Sequence, residues 1–171
     1  ASITIRNRWQ PLPAPSQSPN QRSWDCSDLA CTEALAAALG RQLRLGDVVW
    51  LRGELGAGKT AFVRAACAAL GVASPVTSPT YTVGNRYASA AGAIAHLDLY
   101  RSQGLTVDEW ADLEPYFDDA IAFVEWPDAG AGLLPEPRVI VEIDFRPDDA
   151  RLITLHCDDH TLLDALAAAL A

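Results

Sequence analysis

Gly53-Glu54-Leu55-Gly56-Ala57-Gly58-Lys59-Thr60 satisfies the pattern G-x-x-x-x-G-K-[ST], whose residue types suit a bound triphosphate. Glycines at 53, 56 and 58 permit positive φ, so successive backbone N–H groups turn toward one point, and the dipole of a following helix favours an anion there. Lys59 is long enough to reach the β- and γ-phosphates as a point charge, and the Thr60 hydroxyl is placed to ligate Mg²⁺. The expected nucleotide cradle is therefore Glu54 to Ala61, with Lys59 in a catalytic role. Lys59 is the only lysine among 13 basic residues. A chain that otherwise uses Arg has a compact ammonium where a planar fork does not fit the cradle.

A triphosphate held with Mg²⁺ also needs a carboxylate near the metal, usually at the end of a neighbouring strand. Asp98 follows the apolar segment Ala93 to Leu97, and Glu125 follows Ile121 to Val124. Both acids thus end apolar segments, where open α/β sheets bind ligands. Asp98 is assigned to magnesium and Glu125 to positioning or activating the attacking water, so Thr60, Asp98 and Glu125 form the metal-side set. The alternative for either acid is a plain strand-end cap. His96 stands beside Asp98, either in functional contact with it or as a hydrogen-bonded structural histidine. Arg101 is either an arginine finger in cis or the partner of a surface acid, and Trp126 either a base-stacking platform or a core aromatic.

These residues need elements to hold them. Val48 to Leu51 reads as a buried strand before the loop, and Ala61 to Leu70, without Gly or Pro, as a helix after it. Asp28 to Leu43 has apolar residues at helical spacing, with Ser27 or Asp28 as N-cap. Thr80–Tyr87 and Ala93–Leu99 read as strands joined by a flexible stretch at 88–92, and Thr106–Leu113 as a short acidic helix or turn. Ala120–Val124, Val139–Phe145 and Arg151–Cys157 are later strands, and an apolar helix at Thr161–Ala171 closes the chain. Residues 1–21, with Pro11, Pro13, Pro15 and Pro19 among Ser, Gln and Asn, read as an extension. Within it, Ser2–Arg8 alternates enough for an added strand. Residues 22–171 are expected to form one domain of α/β class, a three-layer P-loop NTPase-like sandwich with a mixed, mostly parallel sheet and helices on both faces.

Bulk properties narrow the function. The net charge is −9 at pH 7 over 171 residues, which opposes direct binding to nucleic acid or an anionic membrane. Cys26, Cys31, Cys67 and Cys157 form no C-x-x-C pair and read as reduced thiols, with neither a zinc site nor a disulfide framework. No apolar run reaches membrane-span length and the N-terminus lacks an apolar signal core, so a cytoplasmic protein is expected. The guanine-reading signature Asn-Lys-x-Asp cannot occur, because Lys59 is the only lysine.

Four motifs in order carry a resemblance: Gly46 to Thr60, Val-Thr-Ser-Pro-Thr-Tyr at 76–81, His-Leu-Asp-Leu-Tyr-Arg at 96–101 and Val-Glu-Trp-Pro at 124–127. Together they make residues 28–157 resemble the bacterial TsaE (YjeE) ATPases of tRNA threonylcarbamoyladenosine (t6A) modification. The resemblance implies an ATP- and Mg²⁺-dependent ATPase, weak alone, that works with TsaD and TsaB and meets tRNA only through them. By match, Ser78-Pro79-Thr80 would be a switch-like loop near the γ-phosphate, giving Thr80 a catalytic role. Asp98 would be the Mg²⁺ ligand, Glu125 would lie near the hydrolytic centre, and Trp126 near the base or ribose. Glu109 matches the family's acid after Asp-Leu-Tyr-Arg; beyond it the family's usual Gly is missing from Ala111–Pro115, where a shortened loop is expected.

Two further readings use the same loop. A small-molecule kinase would need a basic lid, for which Arg101–Trp110, with one Arg and two acids, is a poor candidate. A nucleotide-gated scaffold would use binding alone, with cleavage incidental.

Overall fold

The structure, a computed structural model, describes residues 20–79 and 83–171. Among the described residues seven strands form one sheet in the order β1-β7-β6-β2-β5-β4-β3. In chain order the elements are β1 (Gln21–Cys26), α1 (Leu29–Gly40), β2 (Val48–Gly53), α2 (Lys59–Ala69), β3 (Gly84–Ser89), β4 (Gly92–Asp98), α3 (Val107–Leu113), β5 (Ala120–Glu125), β6 (Val139–Phe145), β7 (Arg151–His156) and α4 (His160–Ala169). The central strands β6, β2, β5 and β4 are mutually parallel, while β1, β7 and β3 join through antiparallel pairs. The α/β class and the mixed, mostly parallel sheet are as expected.

The apolar central strands are what a sheet covered on both faces requires. All six residues of β5 are buried. Alternation along the strands then sends side chains to opposite sides. Val49, Leu51, Ile94, Ile121 and Phe123 pack with α1, α2 and α4 in one cluster. Val48, Ala95, Leu97, Ala122 and Val124 pack on the other face under Leu113 of α3, with Tyr116, Phe117 and Ala129 from short 3₁₀ turns. Among the described residues helices thus lie on both faces, three long ones on one side and a single two-turn helix on the other. Among the described residues no helix is long and apolar enough to cross a membrane.

Three local readings are corrected. The chain before residue 22 is expected to be extension, but β1 begins at Gln21 and pairs antiparallel with β7 from Gln21↔His156 to Cys26↔Arg151. Gln-Arg-Ser-Trp-Asp-Cys has one large apolar residue, so its strand character comes from the partner strand rather than from pattern. The expected flexible stretch at 88–92 is a tight hairpin: Ser89 Oγ donates to Gly92 O and accepts from Ala91 N, and β4 starts at Gly92. The cysteines are expected to be reduced thiols, yet Cys26 and Cys31 are joined in a disulfide with Cα atoms 5.2 Å apart. The end of β1 and the first turn of α1 bring together two residues that sequence spacing alone does not pair; Cys67 and Cys157 are free and buried. The Ser2–Arg8 strand and the first part of Thr80–Tyr87 fall outside the described residues.

Candidate functional site

The loop between β2 and α2 folds as its glycines allow. Gly53, Gly56 and Gly58 take φ of +146°, +80° and +111°. Gly58 is the N-cap of α2, which begins at Lys59, two residues earlier than expected. The backbone N–H groups of the first turn, from Lys59, Thr60 and Ala61, therefore sit at a helix N-terminus without intrahelical acceptors, as an anion site requires. Glu54 and Leu55 are exposed at the crest of the loop, while Ala57 is buried beneath it.

Lys59 is almost wholly enclosed. Its Nζ donates to Gly53 O at 2.8 Å and Glu54 O at 2.9 Å, and lies 4.1 Å from the centroid of the Trp126 ring. Burial pushes its pKa below the ordinary value, against the opposing pull of Glu125 and Asp98. Trp126 adopts a left-handed conformation with φ of 57°, an uncommon state for a bulky residue. Its ring packs against Tyr100 with centroids 4.9 Å apart. The indole thus roofs the ammonium.

The two acids arrive by strand register. Asp98 and Glu125 are Cα partners at the ends of β4 and β5, and Leu51 of β2 pairs with Glu125. Period-two alternation puts His96 and Asp98 on one side of β4, and Phe123 and Glu125 on the same side of β5, facing α2. Thr60 Oγ1 donates to Glu125 Oε1 at 2.8 Å. The same oxygen lies 2.8 Å from His96 Nε2, so the histidine contacts Glu125 rather than its chain neighbour Asp98. Asp98 accepts from Ser78 Oγ at 3.2 Å and Tyr100 N at 2.9 Å, which ties the expected switch segment to this carboxylate. Thr80 lies outside the described residues.

Thr60, Glu125 and Asp98 offer oxygen donors only, the set a hard cation such as Mg²⁺ takes. Among the described residues no cluster of three or more His, Cys, Asp or Glu side chains could hold a metal ion. The residues fit Mg²⁺ held jointly with phosphate oxygens rather than by a protein cage. Beside the loop opens a cleft of about 530 Å³, lined by Leu55, Val83, Tyr100 and Arg101 and by the carboxylates of Asp98 and Glu109. Arg101 is exposed on its wall.

One contributor escaped sequence reasoning. Arg151, at the start of β7, donates from Nε to Ala57 O at 2.9 Å and from Nη1 to the carbonyls of Asp149 and Ala150. It fastens the phosphate loop to the β6–β7 connection. Its acceptors are backbone atoms, one of them far away in the chain, so no residue pattern announces the contact.

A family model described as threonylcarbamoyl adenosine biosynthesis protein TsaE matches residues 26–153, a span that includes the loop, both acids and Arg151. This chain belongs to the TsaE family. It is 42% identical over 109 residues to the tRNA threonylcarbamoyladenosine biosynthesis protein TsaE of Haemophilus influenzae, across 63% of this chain and 68% of that one. It is 33% identical over 134 residues to the protein of the same name from Bacillus subtilis, across 78% and 84%. Among solved structures, Bacillus subtilis YdiB superposes with a TM-score of 0.70 at 28% identity, over 86% of this chain and 95% of that one. The resemblance carried by the four motifs is borne out. The TsaE match begins at the last residue of β1 and ends inside β7, so α4 lies beyond it.

Proposed function

We propose that this TsaE-family chain binds Mg²⁺–ATP at Glu54–Ala61, hydrolyses it slowly alone, and acts with a TsaD–TsaB complex in tRNA t6A biosynthesis. The reading places it in the cytoplasm, meeting tRNA only through that complex. The observation that carries it is Thr60 Oγ1 bonded to Glu125 Oε1 at the mouth of the loop that encloses Lys59. That contact joins the cradle to the acid of the neighbouring strand. Thr60 and Asp98, with Glu125 beside them, would hold Mg²⁺, which would supply positive charge against the phosphate oxygens. Lys59 supplies a second positive charge once its ammonium turns from the loop carbonyls to phosphate. Glu125 orients the attacking water from beside Thr60, and Asp98 holds the metal side together with Thr60. Thr80 is assigned with Ser78 to sensing the γ-phosphate, and Trp126 to bordering the nucleotide.

The test measures ATP turnover with and without TsaB–TsaD and follows t6A formation in the same tubes. Stimulation by the complex is expected, and it vanishes in Lys59→Ala. Full-speed turnover of the isolated protein, indifferent to TsaB–TsaD, would refute the reading. Glu125→Ala separates the scaffold alternative: t6A formation that survives loss of hydrolysis but not Lys59→Ala means that binding alone is the function. A small-molecule kinase is disfavoured by the cleft, whose lining carries three carboxylates, Asp98, Glu109 and Asp112, against the single guanidinium of Arg101.

A further inference from the structure

His96 is 0% exposed, and its partner Glu125 is 3% exposed. The histidine stands inside the α2-facing layer between Ile94 and Asp98 on β4. Its Nε2 lies 2.8 Å from Glu125 Oε1, while its Nδ1 is buried with no hydrogen-bond partner among the described residues. Glu125 Oε1 therefore meets two polar groups, Nε2 of His96 and the hydroxyl of Thr60. A carboxyl oxygen that carries no proton only accepts, so a hydrogen bond from each neighbour requires that neighbour to donate. The imidazole proton then sits on Nε2. The unpartnered Nδ1 is less costly to bury as a bare lone pair than as an N–H without an acceptor. The reverse tautomer would put two lone pairs face to face and orphan a buried donor.

We propose that His96 is a positioning residue for Glu125: its Nε2–H, together with the Thr60 hydroxyl, anchors Oε1 and leaves Oε2 as the oxygen presented to the reaction centre. Two donors from different elements, β4 and α2, hold one oxygen of a side chain on β5, so the carboxylate cannot rotate without breaking a buried bond. His96 acts through the acid, the one side chain its Nε2 meets among the described residues. The inference rests on the proposed ATPase reading for its kinetic consequence, though not for its geometry.

Two substitutions and one spectroscopic measurement test it. His96→Leu removes the donor but keeps an apolar, similarly sized side chain in a β-strand, and His96→Gln keeps an N–H at nearly the Nε2 reach. In His96→Leu, kcat for ATP is expected to fall roughly 10- to 100-fold, the scale of lost supporting hydrogen bonds at reactive sites. ADP affinity should stay within about two-fold, because the cradle is untouched. His96→Gln should recover most of kcat, which a histidine that merely fills core volume would not require. Nitrogen-15 spectra of the wild-type side chains should show a proton on Nε2 of His96, changed in Glu125→Ala. An Nδ1–H tautomer, wild-type kcat in His96→Leu, or equal loss of kcat and ADP binding would overturn the proposal. Absence of turnover in the wild type even with TsaB–TsaD would refute the ATPase reading instead, and the tautomer measurement would still decide whether His96 holds Glu125.

Discussion

Gly53 hands β2 over to the phosphate loop, and a Cβ there would lie 2.6 Å from Ile143 O on the neighbouring strand. Gly58 has a similarly forbidden φ, but a Cβ there would meet nothing within 4 Å. The two positions separate torsional strain from a backbone clash. Gly58→Ala is expected to cost about 1–2 kcal/mol for the left-handed backbone alone. Gly53→Ala should cost about 3–5 kcal/mol, because β2 or β6 must also shift. Urea unfolding of both variants checks this; equal losses would mean that the Ile143 carbonyl yields freely. At this scale the sequence was informative wherever a residue type was itself the signal. The lone lysine, the threonine after it and two acids ending apolar segments led directly to groups that the fold gathers around one point. His96 could be placed beside Asp98 in the chain but not against Glu125, since that contact depends on β4 and β5 being adjacent and parallel. Arg151 was illegible for a similar reason, its partners being carbonyls.

The element most sensitive to single groups is α3, only seven residues long. Thr106 caps it: its Oγ1 accepts from Glu109 N, while the Glu109 carboxylate accepts from Thr106 N and Thr106 Oγ1, both at 2.9 Å. These bonds hold the pKa of Glu109 below its ordinary value of 4.5. An acid lowered in the folded state adds stability that is fully present above its unfolded pKa and is lost as pH falls through the folded value. Glu109→Gln is therefore expected to loosen α3 at neutral pH and to remove part of the wild type's loss below pH 4.5. Amide exchange at residues 107–110, followed from about pH 7 to about pH 3, reads this; identical pH profiles would exclude the carboxylate as the cap. The spacing Thr106-x-x-Glu109 marks a helix start, and of the helix or turn expected here the structure has the helix. The connection from α3 to β5 was not legible. It is a 3₁₀ turn, Glu114–Phe117, fastened by Arg86, whose guanidinium donates to Pro115 O and Asp118 O. Nothing in the residues around Arg86 points to these carbonyls, which the fold brings beside β3.

For the molecule as a whole, charge decides the kind of encounter. With −9 at pH 7 the chain repels polyphosphate except where backbone N–H groups and Lys59 converge, so naked tRNA should not be retained. A filter-binding assay at low salt is expected to show no association, whereas salt-sensitive binding of tRNA to the isolated protein would contradict a purely partner-mediated role. The layered α/β plan was legible because β2, β4, β5 and β6 are apolar runs set between helical patterns. The edges were not, because an edge strand borrows its hydrogen bonds from a neighbour and need not look like a strand. That borrowing also orders events during synthesis. Among the described residues β1 has a single partner, β7, reached only when residues 151–156 exist, whereas β2, β4 and β5, with the loop and both acids, are complete by residue 125. The strands that carry the glycine loop and both acids are thus synthesised before β1's partner, and this early-made strand must wait for β7 before its ladder can close.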